Sequence, residues 1–200
     1  MTIVDLIKPN DFFRSKVSSA SEELNIELST DLEFYLVNLL CDFIEPQSLT
    51  LGNMNLLDTP LAIIYKEALE SSPQMQLKMY KKLGDLSLYV AGYFHNSLQR
   101  KAVGRSYYIS MGSSAYQKMS SIMKVRHNEA HFTDMYSNLS KEFKQLVQVV
   151  TKVSTEIPIE SHNLLKIYEK WCNNQSETLK EYLQNEGITL DSKSSKKLHN

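Results

Sequence analysis

A single carboxylate, Asp85, is the one acidic residue between Glu70 and Glu129. Around it, Ser71–His127 holds nine Lys and Arg residues, six of the eleven tyrosines and four of the six glycines. A lone carboxylate among bases has two uses. It can form a helical pair with Lys81 or Lys82, worth about 0.2–0.5 kcal/mol. It can also sit partly buried between helices, orienting Arg105 or a tyrosine hydroxyl, with its pKa displaced and its charge available to a ligand.

The bases fall into two groups. Arg100, Lys101 and Arg105, with His95, lie beside the start of a helix near Ser106. The free N–H groups of a helix start favour anions, and adjacent guanidinium groups add to that. Lys78, Lys81, Lys82, Lys118, Lys124 and Arg126, with His127, form the second group. Either could meet phosphate or an acidic protein. A pocket between the helices built from Asp85, Tyr89, Arg105, Tyr108 and Tyr116 would instead suit a small-molecule ligand or an unusual enzyme. Tyrosines interleaved with bases also suit stacking on single-stranded nucleic acid, but a pI of about 6.5 argues against it.

His127-Asn-Glu-Ala-His131 puts two imidazoles on one helical face at metal-ligand spacing. The glutamate is at the third position, not the second as in zinc proteases. Solvated or capping histidines are the plainer reading, and no metal site is assigned. The phosphate-binding glycine loops, the Gly-x-Ser-x-Gly elbow and a Cys-x-x-Cys pair do not occur in the sequence. Nucleophilic catalysis has no support, and no cofactor can be named.

Charge is segregated along the chain. Residues 1–70 carry twelve acids against four bases, although the net charge of the chain is −1. Folding could therefore lay acidic front helices against the basic middle and neutralise it internally. The alternative is a basic surface left open for a partner.

The elements that must position these residues are helical, because apolar residues recur at spacings of three and four almost throughout. The spacing predicts an all-α protein: one multi-helix bundle of about seven to eight helices over residues 1–190, followed by a mobile tail at 191–200. Asn10 or Asp11 starts a first helix running to about Leu24. Ser29-Thr30 followed by Glu33 reads as a capping box for a second, 31–45, apolar on almost all sides and so expected at the centre. Residues 46–58 form a loop closing over the core. Asp58-Thr59-Pro60 and Ser72-Pro73 open two more helices.

The last of these runs from Pro73 to about Phe94 and is followed by a short turn of helix, Leu98–Val103, and a helix at Ser106–Met123. Glycine inside a helix costs about 0.5–1 kcal/mol against alanine. Gly84, Gly92 and Gly112 therefore predict an antiparallel pair, 73–94 with 106–123, crossing closely at small residues. Leu139, Phe143, Leu146, Val150 and Val153 form a narrow helical seam that could pack inward or join two copies. Helices at 160–173 and from Ser176 to Gly187 complete the bundle.

Cys41 and Cys172 sit in apolar patterns and are expected as buried thiols of a reducing compartment. No signal peptide or membrane span is evident. The expectation is a non-enzymatic cytoplasmic protein that binds an acidic partner or small anion through its basic, tyrosine-rich central helices, using the Arg100–Arg105 turn and the basic face beside it.

Overall fold

The computed structural model describes residues 9–43, 50–51, 54–55, 59–98, 103–126, 130–156 and 176–185. They form an all-α bundle. Its helices are α1 (Pro9–Glu23), α2 (Thr30–Asp42), α3 (Leu61–Glu70), α4 (Pro73–Tyr93), α5 (His95–Leu98), α6 (Arg105–Arg126), α7 (Ala130–Lys141), α8 (Phe143–Glu156) and α9 (Glu177–Asn185). The sequence at 160–173 and the tail from 191 lie outside the described residues.

Helix α4 is the centre of the bundle. From Leu83 to Leu88 every residue is buried, and Val90, Ala91 and Gly92 follow. This corrects the expectation for α2. That helix buries Leu32, Leu36, Val37, Leu39 and Leu40 but leaves Phe34 68 % exposed, so it lies to one side. An apolar composition on all sides overstated its burial because Phe34 faces water. At its start, Ser29 caps the helix with its hydroxyl accepting from Leu32 N–H at 3.4 Å.

Helices α4 and α6 are antiparallel, as the glycines predict. A Cβ on Gly84 would run into the Tyr116 ring, and one on Gly112 would meet Phe143 and the Cβ of Ser87. Matched positions 84 with 116 and 87 with 112 run in opposite senses. Gly92 answers to a different helix: a side chain there would strike Val150 of α8. Helix α7 returns along α6. Ser113 Oγ donates to Ser140 O at 2.9 Å and Ser140 Oγ donates to Ser113 O at 2.8 Å, while Ser120 Oγ donates to Thr133 O at 2.9 Å.

The seam at 139–153 is real but spans two helices. Leu139 belongs to α7, and Phe143, Leu146, Val150 and Val153 belong to α8, with Glu142 between. All five are buried inside the bundle. The α1–α2 hairpin is tied to α8 at two points, Lys16 to Glu156 at 3.4 Å and Glu23 to Lys152 at 2.7 Å.

Two local expectations change. Thr50–Leu51 and Met54–Asn55 form a two-residue antiparallel ladder, with Thr50 opposite Asn55 and Leu51 opposite Met54. The short helix after α4 occupies His95–Leu98, earlier than expected, and Val103 is not helical. Cys41 is a free, half-buried thiol; burial, then the neighbouring Asp42 charge, raises its pKa. Its Sγ lies 2.9 Å from Asn10 Oδ1.

Candidate functional site

Asp85 is 6 % exposed, and both of its oxygens are engaged. Oδ1 accepts from the Tyr35 hydroxyl at 2.5 Å and from the Tyr116 hydroxyl at 2.7 Å. Oδ2 accepts from Lys81 Nζ at 2.6 Å. The two uses foreseen for this carboxylate are thus realised together: the helical pair with Lys81 and the tyrosine hydroxyl from across the helix pair.

Tyr35 comes from α2, fifty residues away, and had no signal of its own in the sequence beyond lying in an apolar helix. The Tyr136 ring meets the Tyr35 ring edge-on, with centroids 6.0 Å apart, and tilts against Tyr116. The Lys81 ammonium also lies over the Tyr35 ring, 5.3 Å from its centroid.

The electrostatics follow from burial. Burial, reinforced by the Asp85 charge, holds the Tyr35 and Tyr116 hydroxyls protonated well above the usual phenol range. Burial alone would pull Lys81 down, but the charge and hydrogen bond of Asp85 outweigh it and raise the ammonium. A charge-assisted network of this kind is strong when every member is satisfied. Its chemistry is structural. Each carboxylate oxygen is held by a donor, the phenols stay neutral, and Tyr116 is fully buried. The centre joins α2, α4 and α6.

The other expected pocket residues are likewise used within the fold. Tyr89 stacks on Phe43 at 4.3 Å between centroids and on Tyr93 at 5.2 Å. Tyr108 is half-buried against the core, and burial raises its pKa. Arg105 Nε donates to Ala91 O at 3.0 Å, its Nη2 donates to Thr151 Oγ1, and burial lowers its pKa. His95 Nδ1 lies 3.1 Å from Gly92 O. Arg105 and His95 therefore turn toward the carbonyls that end α4, where cations are favoured. The open carbonyl acceptors at the end of α4 thus engage Arg105 and His95, two of the four residues expected to face an anion at this turn. Arg100 and Lys101 lie outside the described residues.

The crossing of α4 and α6 is closed by the Tyr116 ring over Gly84 and by Phe143 at Gly112. A cleft of about 450 Å³ lies elsewhere, at the turn between α1 and α2, lined by Glu22, Asn25, Glu27 and Glu33 among others.

The second basic group has a different setting. Lys78, Lys118 and Lys124 are exposed. Glu23 of the acidic front pairs with Lys152, Glu70 with Lys66, and Asp31 Oδ2 lies 3.8 Å from His131 Nε2. His127 lies outside the described residues. No described helix is long and apolar enough to cross a membrane.

No protein-family model, curated protein or solved structure matches the chain.

Proposed function

We propose that this is a non-enzymatic helical protein that works by binding an acidic partner through the basic end of its central helix pair, where α4 begins and α6 ends. One observation carries the reading. Inside the pair Asp85 is bound by Lys81 and Tyr116, while Lys78, Lys118 and Lys124 stand in solvent. Contacts of the acidic front with Lys152, Lys66 and His131 support it further, since these three residues lie outside Ser71–His127. The half-buried free thiol of Cys41 suits a cytoplasmic setting.

The test is binding of a labelled polyglutamate chain by fluorescence anisotropy at rising salt. Lys78→Glu, Lys118→Glu and Lys124→Glu together should remove binding while the melting temperature stays within a few degrees of the parent. Binding that survives the triple reversal, or that is absent in the parent at low salt, rejects the reading. Arg105→Glu is unsuited to this purpose, because Arg105 donates to a carbonyl at the end of α4.

A further inference from the structure

The basic end also carries large apolar side chains that the fold leaves uncovered. Helix α6 ends and α7 begins there, α3 hands over to α4, and the 3.8 Å approach of His131 to Asp31 brings the start of α2 alongside. The α3–α4 junction is fixed by Gln76 Nε2 donating to Leu69 O at 3.3 Å. Val125, in the last turn of α6, is 86 % exposed. Phe132, Met75, Leu69 and Phe34 are exposed from the four neighbouring helix ends. Single exposed apolar residues are ordinary, but a group gathered at one end of a molecule marks a contact surface.

Resting on the reading above, we infer that the partner is an acidic polypeptide segment bearing its own apolar side chains, docked on this end. Charge complementarity with Lys78 and Lys124 supplies the acidic requirement, and Val125 and Phe132 supply the apolar one. A small anion would satisfy the lysines and leave the apolar side chains wet. A nucleic acid or an anionic lipid surface presents phosphate over its whole area and would meet Asp31, Asp134 and Glu70, which are exposed at the same end. A polypeptide can set carboxylates against the lysines and leave those three acids in water. Interface cores of this type are apolar at the centre, with charges at the rim.

The test is selection of short random peptides displayed on phage against the full chain, with sequencing of the enriched pool. Enriched peptides should combine Asp or Glu with Leu, Ile, Phe or Trp. Val125→Ser with Phe132→Ser, both at exposed positions, should weaken a selected peptide about tenfold or more while leaving polyglutamate binding unchanged. Enrichment of acids with no apolar preference, or indifference to the double substitution, overturns the inference and leaves the basic reading standing. Loss of acidic enrichment altogether overturns both. Tighter binding to phosphatidylserine vesicles than to any selected peptide, or self-association in sedimentation with this end buried, also overturns the inference.

Discussion

Helices α4 and α6 lie side by side, yet the middle of the pair and its basic end obey different rules. In the middle, glycines let the backbones close, a tyrosine ring fills the gap, and the single carboxylate takes three donors. At the end, Lys78, Lys118 and Lys124 and the apolar side chains of Val125 and Phe132 face water. The same basic, tyrosine-rich stretch of sequence thus splits into a part that holds the protein together and a part that is available to a partner. Substitutions should sort accordingly: in the middle they change stability, at the end they change binding.

The largest effect is expected at Asp85. Asp85→Ala leaves two buried phenols without their acceptor and removes the partner of Lys81, and should cost about 2–4 kcal/mol in urea unfolding. A loss below about 1 kcal/mol would mean that the network contributes little, and would erase the contrast with the end. Gly112→Ala comes next. The new methyl group has to displace Phe143 or Ser87, an overpacking cost of about 1–3 kcal/mol. A neutral result would show that the crossing can open.

Arg105→Ala removes one hydrogen bond to the end of α4 and one to Thr151 of α8, and should cost about 1–2 kcal/mol. No stability change there would return Arg105 to the pool of free cations. The smallest effect is a dependence on alkaline pH. Tyr35, Tyr116 and Lys81 all have raised values in the folded state. Their contribution is fully present below about pH 10, where the unfolded chain is still protonated, and declines as pH rises above that, because the unfolded chain then releases protons first. The melting temperature should fall above about pH 10, and Tyr35→Phe with Tyr116→Phe should flatten that fall. An unchanged slope would show that folding does not hold these phenols protonated above their ordinary range.

The fold class could be read from the sequence because helical periodicity is a local property. The antiparallel pair could be read too, because Gly84 and Gly112 have no local reason to be in a helix. The partner of Asp85 was only half readable. Lys81 is four residues away on the same face, whereas Tyr35 reaches it through tertiary packing that one sequence does not encode locally. The same limit explains α2: Phe34 and Leu36 look alike as apolar residues, and only the packing decides that one faces water. It also explains Arg105. A guanidinium beside a helix start reads as an anion site, but the nearer and stronger claim came from the open carbonyls of the preceding helix.

The two ion pairs that fasten the front hairpin to α8 have a consequence for biosynthesis. Lys16 meets Glu156 across 140 residues, so α1 and α2 leave the ribosome long before their counterpart exists. Until α8 is made, Val17, Ala20, Leu36 and Leu40 cannot complete their native surroundings. This hairpin thus waits for its native partner during synthesis, and shielding it during that interval falls to transient collapse or to a chaperone.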